Sequence, residues 1–278
     1  MDYQLTDVDF LPIELVEKPR VVYKYRSWNK GIEYDDMVLT HNQLYMSEPL
    51  KFKDKLDCRS QTRYDLMTEK EILNWSEKMT RKDHPRFNDE AIRKLAIKNL
   101  DRIPFKNEEL MKKLHEDEWL SYNDWAGVLS LCITSTSDAM WSEYGANHSG
   151  VCYGFSTDDL IKGCMLSGGA KVEYVDELPI ILPSMHPLVQ SGLKAYYKLR
   201  KYEYEEEYRL RTFNPNNKDI VNRIRIYPNE VLSEVIFGKD FDNEQIDVIK
   251  GILEKRKIKA VLYQCSISEG KLIREKLD

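Results

Sequence analysis

"EVLSEVIFGKDFDNEQIDVIKGILEKRKIKAVLYQCS", residues 230–266, changes period twice within one stretch. Val231 to Phe237 is a short apolar run closed by Gly238 and reads as a buried strand. Asn243 or a neighbour then offers an N-cap, and the pattern to Lys255 is helical. Ile258 to Cys265 returns to strand. A compact strand–helix–strand closes the chain.

Upstream, the same two periods separate into blocks. "RVVYKYRSW" (20–28) alternates apolar and polar residues, and a short helix precedes a second strand around Gln43 to Met46. From about Thr68 to Trp125 the chain is charged, with apolar residues three and four apart in "TEKEILNWSEKM", "NDEAIRKLAIKNL" and "NEELMKKLHEDEWL". Thr68 with Glu71, and Asn88, supply N-cap chemistry there. Period two resumes at 127–135, 150–156, 170–175, 205–213 and 223–228, with a helix expected over 186–201. These blocks predict an α+β fold: a central mixed or antiparallel sheet, a helical insertion over 62–125 and the C-terminal strand–helix–strand, all in a single domain over 1–278.

With 278 residues the chain can bury a sizeable core. Its net charge of −5 argues against broad electrostatic binding of nucleic acid, though not against a local basic groove. The five cysteines form no CxxC pair, which fits reduced thiols in the cytoplasm better than a disulfide framework or a zinc site. "MDYQLTDVDF" has no apolar signal core, and no run approaches a membrane span. Phosphate-loop, dinucleotide-fold, zincin and serine-hydrolase signatures are missing. Gly238 ahead of a helix reads as a turn rather than a phosphate site.

Three constellations stand out. "MWSEYGANHSGVCYGF" (140–155) crowds Trp141, Glu143, Tyr144, Asn147 and His148 just before a buried strand. As a short helix it sets Trp141 and Tyr144 on one side and Glu143 and Asn147 on another. Either the aromatics pack into the core or they border a site. His148, without metal-ligand partners at a fixed spacing, is the weaker candidate.

In "YEYEEEYRLRTF" (202–213), a strand would put Glu205, Glu207 and Arg209 on one face and Glu206, Tyr208 and Leu210 on the other. Burying two carboxylates and a guanidinium is costly unless they pair or serve a site. The expectation is that Arg209 holds Glu205 and leaves Glu207 free. Lys24 and Arg26 share a face of the first strand, and Asp54 and Asp57 follow in a loop that either clamps them or leaves them to hold an anion.

Together these segments resemble a bacterial family catalogued as domain of unknown function 2971. The resemblance rests on Lys24-Tyr25-Arg26, "LYMSEPLKFKDKLDC" (44–58), "LSLCITSTSDAMWSEYGANHSGVCYGF" (129–155) and "YEYEEEYRL" (202–210), in that order. Lys53 and Lys55 stand where the family tends to have Asn and Pro, and Tyr202 where it has Trp. The Glu-x-Glu strand also resembles the arrangement of ADP-ribosyltransferase folds, where one glutamate grips the nicotinamide ribose and stabilises an oxocarbenium-like transition state.

The resulting expectation is an ADP-ribosyltransferase-like or NAD-handling enzyme, in a bacterial defence or toxin setting. Glu207, Arg26 and Tyr144 are its catalytic candidates. Lys24, Tyr45, Trp141, Glu205, Arg209 and His148 are assigned to holding NAD, and no metal site is assigned. Expected partners are a nucleotide or dinucleotide, with a nucleic acid or a protein as target. The alternatives are a metal-dependent nuclease or phosphoryl-transfer enzyme using Asp54, Asp57, Glu205 and Glu207, and a non-catalytic module binding a protein or nucleotide.

Overall fold

A computed structural model describes residues 17–28, 37–100, 105, 107–166, 168–213 and 220–277. The N-terminal "MDYQLTDVDF" lies outside them. The fold is α+β, as expected, and its centre is an eight-stranded mixed sheet. The strands of that sheet are β1 (Val21–Arg26), β3 (Ala126–Cys132), β4 (Val151–Ser156), β5 (Gly168–Lys171), β8 (Glu207–Phe213), β10 (Leu232–Phe237), β11 (Val261–Ser268) and β12 (Lys271–Lys276). Their order is β12-β11-β10-β4-β1-β3-β8-β5. Two further pairs stand apart: β2 (Gln43–Tyr45) with β9 (Ile224–Ile226), and β6 (Glu173–Val175) with β7 (Tyr197–Leu199).

Helix α9 (Asn243–Arg256) carries the chain from β10 to its parallel neighbour β11, because parallel strands need a long crossover. Asp242 caps it, its side chain accepting from the Glu244 amide at 3.0 Å. The hairpin into β12 turns on Glu269 and Gly270, both left-handed (φ 50° and 74°), which matches the twist of the flanking strands.

Both sheet faces are covered. On one, Val22, Leu129, Tyr153, Phe155 and Val235 pack against α1 (Met37–His41), α6 (Thr157–Gly163) and α9. On the other, Tyr23, Tyr25, Cys152 and Ile236 pack against α5 (Asp138–Tyr144) through Met140 and Trp141. All five cysteines are buried and free. Among the described residues no helix is long and apolar enough to cross a membrane.

Three helices, α2 (Glu69–Asp83), α3 (Asp89–Lys98) and α4 (Glu108–Trp125), fill the expected helical segment. Thr68 and Glu71 form the reciprocal capping box, and the Asn88 side chain accepts from the Ala91 amide. The C-terminus of α4 is held by Arg223, 1% exposed, whose guanidinium donates to the carbonyls of Asn123, Asp124 and Ala126. A cation there offsets the negative end of the helix dipole.

Three local expectations need correction. The helix over 186–201 stops early: α7 (Pro187–Ala195) gives way to β7 and then to a 3₁₀ turn over Arg200–Glu205. A continuous helix would swing Lys198 away from the buried carboxylates it meets. The strand over 170–175 breaks at Val172, whose amide donates to Glu207 while β6 leaves to pair with β7. The acidic strand begins at Glu207, since Glu206 is left-handed (φ 40°) and Glu205 belongs to the preceding turn.

Candidate functional site

β1 and β3 pair only at Tyr23↔Cys132 among the described residues, and a cleft opens beside this short seam. Lys24 reaches across it, its Nζ donating to the Ser130 carbonyl at 2.7 Å. The cleft measures about 560 Å³, within the usual range for a small-molecule or cofactor site. Its walls come from β1, β3, α5, β7, β8, the 3₁₀ turn and the loop over 49–58.

Charge is concentrated at its base. Arg209, fully buried, donates through Nε and one terminal nitrogen to both oxygens of Glu207, at 2.7 and 2.8 Å. Its two terminal nitrogens also grip the two oxygens of Asp57, at 2.7 and 2.6 Å. Lys198 pairs with Glu205 and lies 3.4 Å from Asp57 and 3.6 Å from Glu207. The hydroxyl of Tyr144 donates to the other oxygen of Glu205. Three carboxylates and two cations therefore share one desolvated cluster, which is tolerable because every member is paired.

The two glutamates titrate in opposite directions. Burial raises the Glu205 carboxyl and the Glu207 charge adds to this, against the opposing pull of Lys198 and Tyr144. Burial acts upward on Glu207 too, but the Arg209 guanidinium and Lys198 outweigh it and hold the carboxyl at about 2. The expected division of labour is thus reversed: Arg209 holds Glu207, not Glu205. It is also Arg209 and Lys198 that Asp57 pairs with, rather than the β1 cations; Asp54 accepts from the Leu56 amide and so serves the loop's own turn. The loop is a clamp, fastened to β8.

Lys24, Arg26, Tyr144, Glu205 and Glu207 all line this one cleft, so the aromatic block and the acidic segment meet as expected. Four other candidates do not line it. Trp141 is the core anchor of α5, wholly buried, edge-on to Tyr25 at 5.1 Å, with its indole N–H donating to the Ser135 carbonyl. Ser137 caps that helix, so the "STS" at 135–137 is local scaffolding. His148 is buried against Trp141, and its Nε2 lies 3.4 Å from Asp138. Tyr45 bonds Glu48 and Lys51 and is not itself part of the cleft wall, and Arg209 lies behind the carboxylates. Asn147 lies beyond the end of α5, so it shares no helix face with Glu143.

The loop after α5 runs through three successive left-handed residues, Ala146, Asn147 and His148 (φ 49°, 53° and 69°). Gly238 accommodates it, for a Cβ there would meet the His148 carbonyl oxygen at 2.0 Å. Its glycine serves this close approach. Sequence reasoning missed Lys198, Tyr202 and Tyr204, which also line the cleft. The helical reading of 186–201 hid Lys198, and Tyr202 and Tyr204 stood in the acidic run read as a strand.

Residues 140–210 match the model of a family described as a protein of unknown function (DUF2971). The resemblance drawn from the sequence stands on that stretch. For DUF2971 the matched segment spans α5 to β8 and takes in Tyr144, Lys198, Glu205, Glu207 and Arg209, the paired base of the cleft. Neither a curated protein nor a solved structure matches the chain.

Proposed function

We propose that the cleft binds an NAD-type dinucleotide and breaks or transfers its N-glycosidic bond, in the manner of an ADP-ribosyltransferase. The observation that carries this reading is the junction of Arg26, Tyr144, Glu205 and Glu207 in one cleft, with the two carboxyls displaced in opposite directions. Neighbouring carboxyls pushed apart in this way suit an acid–base role for one and a fixed charge for the other.

In this reading Arg26 on β1 takes a phosphate and the tyrosines of the wall stack on a base or nicotinamide ring. Glu205 meets the ribose, where its raised affinity for a proton fits it to exchange one with a hydroxyl or a leaving group. Glu207 positions the cluster through Arg209. The metal-dependent alternative is disfavoured because Lys198 and Arg209 already neutralise Asp57, Glu205 and Glu207. Among the described residues, no group of three His, Cys, Asp or Glu is arranged to hold a metal ion.

The test is nicotinamide release from NAD by the purified chain, with and without candidate protein and nucleic-acid acceptors. Release that falls with Glu205→Gln and Arg26→Ala at unchanged thermal stability supports the reading. No release, together with no thermal stabilisation by NAD, removes it.

A further inference from the structure

Lys24 differs from the other lysines of the cleft. Lys51, Lys53 and Lys198 each lie against a carboxylate. Among the described residues Lys24 makes no ion pair, and its one hydrogen bond is to the Ser130 carbonyl. It sits on a strand between β4 and β3, so its stem is fixed, and the residue lines the cavity together with Ser130, whose carbonyl holds its amine. Arg26 lies two residues on along the same side of that strand, and the charges of Glu205 and Glu207 reach it. Burial, and then Arg26, push its ammonium down to about 7. Desolvation beside a second cation is the setting in which a lysine becomes a nucleophile at neutral pH.

We infer that Lys24 is a carbonyl-reactive amine, whose Nζ forms an imine with the open-chain aldehyde of a sugar phosphate held in the cleft. The inference rests on the ribosyl phosphate ligand of the glycosidic reading but not on its reaction. The Nζ lone pair attacks C1 of the aldehyde, and a proton moves from nitrogen to the former carbonyl oxygen. That hydroxyl takes a proton from solvent and leaves as water, and the carbon–nitrogen double bond closes to the protonated imine. Arg26 on the same strand side suits the phosphate, and the wall tyrosines suit the sugar carbons.

The experiment incubates the native chain with ribose 5-phosphate and sodium cyanoborohydride, whose hydride reduces the imine to a stable secondary amine. Intact mass and peptide mapping then locate the adduct. One adduct on Lys24 is expected, formed at pH 7 at least ~10-fold faster than on exposed Lys113, which lacks a desolvated site beside a second cation. The labelling rate of Lys24 should be half-maximal near pH 7, and Lys24→Arg should abolish the adduct. Labelling spread over exposed lysines according to their accessibility overturns the inference, and mapping on the unmutated chain decides this even if Lys24→Arg does not fold. Nicotinamide release is assayed on the same preparation. An adduct without release and without thermal stabilisation by NAD leaves Lys24 reactive and removes the glycosidic reading; release without an adduct does the reverse.

Discussion

The Tyr144 hydroxyl donates to Oε1 of Glu205 at 2.9 Å, joining the aromatic block to the acidic segment across 61 residues of sequence. The bond favours the ionised carboxylate, so it holds the Glu205 pKa below where burial alone would place it. Tyr144→Phe keeps the ring and removes the donor. Glu205 should then titrate at higher pH, and stability should fall by about 1 kcal/mol, as for one partly buried hydrogen bond. Denaturant unfolding measures the second effect, and the pH profile of nicotinamide release measures the first. An unmoved profile with full activity would remove Glu205 from the chemistry.

Glu207 sets a window in the acid stability of the fold. Its folded pKa of about 2 lies below the ordinary 4.5, so between those values the unfolded chain binds the proton more tightly. Its contribution, on the order of 3 kcal/mol, is present above pH 4.5 and is lost as pH falls toward 2. Glu205 has the opposite sign: its raised pKa means that stability falls as pH rises from 4.5 through its folded value. Urea unfolding of wild type and Glu207→Gln at pH 7, 5 and 3 should show a difference that shrinks at pH 3. A gap that stays constant would mean that Glu207 is not held by its ion pairs.

Two glycines should respond in opposite ways to the same substitution. At Gly238 a Cβ meets the His148 backbone oxygen at 2.0 Å, and neither side can yield without moving the left-handed loop. Gly238→Ala should cost about 1–3 kcal/mol, as for an overpacked core site. At Gly192, inside α7, a Cβ meets nothing within 4 Å. Gly192→Ala should stabilise by up to about 1 kcal/mol. Melting temperatures of the two variants check both signs together.

The parts legible in the sequence were those governed by local periodicity. The strand–helix–strand over 230–266, the helices between Thr68 and Trp125 and the alternation of β1 all express themselves within a few residues. The meeting of Tyr144 with the acidic segment was also legible, because both flank strands of one sheet. What stayed hidden depends on partners distant in the chain. Lys198 is extended because Asp57, Glu205 and Glu207 await it, while its neighbours in sequence carry a helical pattern. Arg209 chooses Asp57, 152 residues away, and no spacing rule announces such a pair. Trp141 and Tyr144 look alike as neighbours on one helical face, yet only their depth separates a core anchor from a cleft wall.

The reversal between the two glutamates gives the sharpest test. Glu207 has both oxygens on Arg209 and carries the charge that balances it, so Glu207→Gln leaves a buried guanidinium short of one counter-ion. Breaking a buried pair costs about 3–5 kcal/mol, lessened here because Asp57 still holds Arg209. Glu205 is different, since its ionised form is the one that burial disfavours. Glu205→Gln keeps the shape, can still accept from Tyr144, and removes a charge the site holds at a cost, while Lys198 keeps Asp57 and Glu207 as counter-ions. It should leave the melting temperature near that of the wild type, while nicotinamide release falls by about 10²-fold, as for a lost acid–base group. Glu207→Gln should lower the melting temperature first and lose activity in proportion to the folded fraction. Both variants need the same two measurements, melting temperature and release per folded molecule. If Glu207→Gln melts normally and is inactive while Glu205→Gln stays active, the roles assigned to the two carboxyls are exchanged.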